Sequence, residues 1–341
     1  MPTNLTPEYR RVEAAYRKTG NPVERLSLLK EMLSVMPKHK GTDHLQAEVK
    51  SRIKELTEEL RSSGKGKRSG PTHVVRPEGA AQIALVGPPN TGKSSLHALL
   101  TGSHAMIGPY PFTTTEPLPG MLNHEDVQLQ LVDLPPISRK HPLPWIVNAL
   151  QPAEACLLVV DLAANDCIEA CSDVIEVLRE RHIRLIPDWP NSEPDEVVVD
   201  NASEIDPFGL TLPTLVLVNK CDHLDDVAGE VAVFFDLLGT EFPWLAVSGE
   251  TGEQLHEIGA WLFRALGIVR VYTKTPGKPA NADRPFTVRH GETVLDVARQ
   301  VHQELGDHIK FARIWGSETF DGQQVGPEHE VADGDVVEIH E

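Results

Sequence analysis

The 341-residue chain is 40% apolar and carries a formal net charge of −18, long enough for two or three domains with at least one sizeable core. No apolar run reaches the roughly 18–20 residues of a membrane span, and the first ten residues contain no apolar leader, so a cytoplasmic, non-membrane protein is expected. The charge is divided unevenly: residues 1–80 carry 16 Lys and Arg against 10 Asp and Glu, whereas the rest carries 16 against 40. A strongly acidic body excludes non-specific nucleic-acid binding over the whole surface and leaves the basic arm as the place where RNA could be met.

In chain order, Pro7–Lys18 and Pro22–Met36 read as helices, the second repeating apolar residues at Leu26, Leu28, Leu29, Met32 and Leu33. A break at Pro37–Gly41 precedes a helix that Thr42 or Asp43 can cap and that runs to about Leu60, with Leu45, Val49, Ile53 and Leu56 on one stripe, the spacing of a packed helical hairpin. Ser62–Pro71 is Ser, Gly, Lys and Arg, the composition of a linker. Residues 1–77 form this arm.

From 78 to 270, apolar strands are expected at Ile83–Val86, Val127–Val132, Ala155–Val160, Thr214–Val218 and Trp244–Val247, alternating with helices at Lys93–Leu100, Cys167–Arg181, Asp225–Leu238 and Gly252–Leu266. Alternation of this kind predicts an α/β domain, a mostly parallel sheet with helices on both faces. Pro187–Gly209 is an acidic, Pro-containing insertion expected to be a disordered surface loop. Residues 271–283, with Pro276–Ala282 at their centre, read as a tether. In 284–341, strands Phe286–Val288, Lys310–Trp315 and Val336–His340 surround a helix Thr293–Leu305, the pattern of a small β-grasp module. Of the four cysteines, Cys167 and Cys171 are four apart on a helix and none forms a CxxC pair, consistent with reduced thiols.

Gly87-Pro88-Pro89-Asn90-Thr91-Gly92-Lys93-Ser94 satisfies GxxxxGK[ST] between a strand and a helix. In that context the glycines let the backbone wrap a phosphate, the loop amides and helix N-terminus favour its negative charge, Lys93 supplies a point charge and Ser94 an oxygen for Mg²⁺; Ser95 follows within contact range. Asp133 ends an apolar strand, where a carboxylate would face this loop and hold the same ion. Between them, Tyr110-Pro111-Phe112-Thr113-Thr114-Thr115 offers three adjacent hydroxyls, any of which could complete the metal shell when a γ-phosphate is present.

Phosphate loops serve ATP and GTP proteins alike, so the base is read elsewhere. Asn219-Lys220-Cys221-Asp222 follows a buried strand. Asp222 can accept from guanine N1–H and the 2-amino group, two donors that adenine lacks, a difference worth orders of magnitude in affinity. The Lys220 stem can cover the base and Asn219 can brace the phosphate loop. Ser248-Gly249-Glu250, after a further strand, can offer an N–H to guanine O6. The same residues argue against a P-loop kinase or ATPase.

With these motifs in view, the chain resembles the Obg-related GTPases of the DRG (developmentally regulated GTP-binding) type, through Gly87–Ser94, Phe112-Thr113-Thr114, Asp133-Leu134-Pro135 and Asn219–Asp222, and its tail is similar to a TGS domain through Val294–Ala298 and Asp333–Val337. The resemblance implies GTP/GDP binding with Mg²⁺ held by Ser94, Thr114 and Asp133, catalysis involving Lys93, Thr114 and Asn90, and ribosome or RNA contacts through the arm and the TGS module. Asn90 stands where several such GTPases coordinate K⁺. The family reads Asp-Leu-Pro-Gly, whereas this chain has Pro136, which lacks the N–H that the glycine gives to a γ-phosphate; Ile137 stands where Ras-like enzymes orient water with Gln. Slow GTP hydrolysis is expected, with a GTP-dependent binding switch as the alternative.

Overall fold

A computed structural model of the chain describes residues 7–18, 22–36, 45–47, 49–50, 52–54, 56–57, 73–103, 116–191, 209–275, 280–316 and 320–340. The expected linker at 62–71, the threonine-rich segment with Phe112, Thr113 and Thr114, the core of the insertion and the centre of the tether lie outside the described residues.

The chain divides into two compact units. The first comprises residues 1–74 and 144–152. It contains α1 (Pro7–Lys18), α2 (Pro22–Val35) and helical residues 45–47, 49–50, 52–54 and 56–57, together with α4 (Ile146–Leu150). Tyr9, Val12, Leu29, Met32 and Val49 are buried, as the apolar stripes require. Arg25 donates to the Tyr16 hydroxyl at 2.9 Å and the Gln151 side chain at 2.6 Å.

The second unit holds two sheets. In the first, β1 (Gln82–Val86), β3 (Val127–Asp133), β4 (Ala155–Val160) and β6 (Leu210–Val218) are parallel, with β2 (Leu118–His124) antiparallel to β3 at one edge. β6 is nine residues long and serves two neighbours: its first half pairs with β5 (Ile183–Ile186) and its second with β7 (Trp244–Ala246). β1 and β4 are buried along their whole length, the reading of strands covered on both faces. Helices α3 (Lys93–Thr101), α5 (Cys167–Glu180), α6 (Val227–Leu238) and α7 (Leu255–Ala265) complete this domain. Ile83, Leu85, Leu96, Leu131, Leu157 and Leu217 form its core. The insertion begins ordered: Trp189 is buried edge-on against Trp261, and its indole N–H donates to the Thr214 carbonyl at 3.3 Å.

Residues 271–274, expected in the tether, belong to β8 (Ile268–Lys274), which pairs with β9 (Ala280–Arg289) and β12 (Asp335–His340) of the second sheet. Its inward residues Val269 and Val271 join the core of that module with Val288, Val297 and Ile314. β10 (Phe311–Trp315) and β11 (Gln323–Val325) complete the five strands. The expected single helix is two, α8 (Val294–Val301) and α9 (Gln303–His308), separated by His302 in extended backbone. A reciprocal Thr293–Asp296 capping box starts α8. Arg270 joins the two domains: it donates to Asp333 at 2.6 Å, to Asp126 at 3.1 Å and to Glu125, all at the β2–β3 turn or the module's own last turn. Among the described residues no helix is long and apolar enough to cross a membrane.

Candidate nucleotide site

The parallel strands β1, β3, β4, β6 and β7 all end at one edge of the sheet, and the loops that leave them converge there, the usual crevice of an open α/β fold. Gly87 follows β1 at φ 150°, and a Cβ on it would come within 2.4 Å of the Val159 carbonyl oxygen. Gly92 caps α3 at φ 88°, where a Cβ would strike the Asn219 amide nitrogen at 2.3 Å. The two fixed glycines are therefore demanded by backbone geometry and by the close approach of β4 and β6.

Lys93, the first residue of α3, is 5% exposed and donates to the carbonyls of Gly87 at 3.1 Å and Pro88 at 2.8 Å. Burial lowers its pKa to about 8, against the opposing attraction of Asp133. A phosphate can be held by the charged form alone. Below pH 8 that form is already present; above it, binding must bring a proton with it, so GDP affinity is expected to fall towards about tenfold per pH unit. Calorimetry in buffers of different ionisation enthalpy checks this, as proton uptake rising towards one between pH 7.5 and 9.

Ser94 points its hydroxyl at Asp133, donating at 2.6 Å to a carboxylate that is fully buried at the end of β3. Two hard oxygens this close, one of them anionic, suit Mg²⁺. Next to them the segment after β3 is packed inward: Leu134, Pro135, Pro136 and Ile137 are all buried, and the Ile137 amide donates to the Gly87 carbonyl at 3.2 Å. Ser95 lies in the first turn of α3, half-buried. Thr91 is buried and its hydroxyl donates to the Pro88 carbonyl.

Asn219 connects the loops. It is 3% exposed; its amide N–H donates to the Thr91 carbonyl at 2.8 Å, and its amide oxygen accepts from the Gly249 N–H at 3.1 Å. Lys220 has a left-handed backbone, φ 61°, and its ammonium donates to the Asn90 carbonyl at 3.1 Å. Asp222 is held below the ordinary carboxylate range, first by the Ser248 hydroxyl that donates to it, with His223 and Lys220 adding attraction. The buried Ser248 oxygen also accepts from the amides of Glu250 and Thr251 at 3.2 and 3.1 Å. The amides of Gly249, Glu250 and Thr251 thus each have a protein acceptor, and an N–H for guanine O6 would have to be shared.

One side chain escaped the sequence reading. Asp161 follows directly on β4 and accepts from the Lys220 ammonium at 2.5 Å. A lone Asp after a strand carries little signal; its alignment with Asp133 and Asn219 at the same sheet edge is what marks it.

Residues 82–187 match the family described as 50S ribosome-binding GTPase, and residues 269–341 match the TGS domain. The chain therefore carries a GTPase domain and a TGS domain, and over 93% of its length it is similar to proteins named developmentally-regulated G-proteins. A GTP-binding protein of Methanocaldococcus jannaschii is 29% identical over 93% of this chain and 92% of its own. Developmentally-regulated G-protein 1 of Arabidopsis thaliana is 24% identical over 93% and 90%. The YchF GTPase of Schizosaccharomyces pombe has a similar fold, with TM-score 0.51, 14% identity and coverage of 79% and 100%. The TGS match begins at residue 269, within β8, so residues 271–274 belong to that domain and not to a tether.

Proposed function

We propose that this protein binds GTP and GDP with Mg²⁺ and hydrolyses GTP slowly, as a regulator acting on ribosomes or RNA–protein particles. The observation that carries the reading is Asn219: one side chain ties the loop of Asp222 to the loop of Lys93, so base and phosphates are met by a single assembly. In this reading Asp222 selects guanine, Lys220 covers it, the amides of Gly87–Ser94 cradle the phosphates, and Phe112 and Thr113 flank the nucleotide. Ser94 and Asp133 would hold Mg²⁺, joined by Thr114; bound there, the ion neutralises charge on the phosphate oxygens.

Slow turnover follows from what the second switch lacks. Pro136 has no N–H for a γ-phosphate, and Ile137, 2% exposed, has no polar side-chain atom to orient water. The buried, docked Pro135–Ile137 segment also favours the second reading, a GTP-dependent binding switch with little chemistry. Asn90, with φ 63° at the rim of the loop, is the group through which K⁺ would act. The basic arm and the TGS module are the surfaces proposed to contact RNA.

Single-turnover hydrolysis in matched K⁺ and Na⁺ buffers tests the catalytic reading. Slow hydrolysis, roughly tenfold faster in K⁺, is expected, since a fixed cation stabilises charge developing in the transition state. Equal rates would remove the cation, and no product in either salt would leave the binding switch.

A further inference from the structure

We infer that Asp161 is a positioning residue for the guanine site, acting through Lys220; the inference rests on the reading of Asp222 and Lys220 as the base-recognition pair. A lysine stem covers a purine only if its methylenes lie flat, and a free lysine side chain spends little time in any one conformation. Here both ends are fixed. The backbone of Lys220 is set by the turn after β6 at φ 61°, a left-handed conformation that a residue with a side chain rarely takes. The far end is held by two acceptors, the Asn90 carbonyl at 3.1 Å and the Asp161 carboxylate at 2.5 Å.

The carboxylate is suited to this role. Its side chain is 11% exposed against 38% for Lys220, so the pair is shielded on the acid's side, where an unpaired charge would be costly. The other oxygen of Asp161 accepts from the Ala163 amide at 3.1 Å, which fixes the carboxylate plane. The pair forms part of the wall of a cavity of about 260 Å³ behind the phosphate loop, shared with Pro89, Asn90 and Cys167. Asp161 acts through Lys220: it sets the stem in place before the nucleotide arrives, lowering the entropy lost on binding.

The test is a double-mutant cycle on GDP affinity in the full chain, with Asp161→Asn and Lys220→Met. Asn keeps the shape and the acceptor for Ala163 while removing the charge. Asp161→Asn is expected to weaken GDP about tenfold and Lys220→Met more, with the double variant no weaker than Lys220→Met alone, because coupled residues do not add. Pyrophosphate affinity, which reads the phosphate loop alone, is expected to stay within about twofold for Asp161→Asn. Multiplying losses, an unchanged GDP affinity in Asp161→Asn, or an equal loss for pyrophosphate would each overturn the proposal. Asp222→Asn in parallel separates the two ideas: if Asp161→Asn is silent while Asp222→Asn is not, the positioning role fails and the base site stands; if both are silent, the base site itself is wrong.

Discussion

Asp222→Asn is expected to weaken GTP binding by about a hundredfold or more, and to make xanthosine triphosphate the better ligand. A carboxylate offers two acceptors to the two donors on guanine's edge, N1–H and the 2-amino group. An amide offers one acceptor and one donor pair, so the 2-amino group meets another N–H and a hydrogen bond becomes a repulsion. Xanthine carries an oxygen in place of that amine and matches the amide. The Ser248 hydroxyl that supports Asp222 can support an amide oxygen equally well, so the loop should persist in the variant. Competition binding with both triphosphates checks the exchange. A uniform loss for both bases would mean that the carboxylate shapes the loop rather than reading the base.

Asn219→Ala is expected to damage stability and binding together. It leaves the Thr91 carbonyl and the Gly249 amide without their partner beside a residue that is 3% exposed. An unsatisfied buried group costs about 1–3 kcal/mol, so the pair costs roughly 2–6 kcal/mol, and the melting temperature should fall by at least about 4 °C. Because the link spans both loops, GDP and pyrophosphate should both bind more weakly, unlike the effect of Asp222→Asn. Thermal melting and calorimetry on one preparation measure both. Unchanged melting with unchanged pyrophosphate affinity would show that the two loops are held independently.

The nucleotide loops were legible in the sequence because their chemistry is local. A phosphate loop needs Gly at two fixed positions, and both prove to face a backbone or side-chain atom at a distance no Cβ tolerates. Features that depend on distant partners were not legible. β8 alternates Val269 and Val271 with Arg270 and Tyr272, yet the sequence reading splits it between the GTPase span and the tether at residue 271, since the acids that receive Arg270 lie near residues 125 and 333. β2 contains Pro119 and Gly120, and no strand is expected there from the sequence. It survives as an edge strand, where Pro is tolerated, and Gly120 is needed because a Cβ there would press on Thr101 and His97 of α3. Asp161 was passed over for the same reason as β8: its meaning comes from Lys220, fifty-nine positions away. The departure at Pro136 was visible at once, and the burial of Pro135–Ile137 against the Gly87 carbonyl was not.

The most direct measurement is equilibrium binding of GTP, GDP and ATP to the purified full chain in Mg²⁺, by competition against one fluorescent guanine nucleotide. Both guanine nucleotides should displace it at least about a hundredfold more effectively than ATP. Displacement by ATP at comparable concentration would contradict the assignment of Asp222 to the base and of Lys93 to its phosphates.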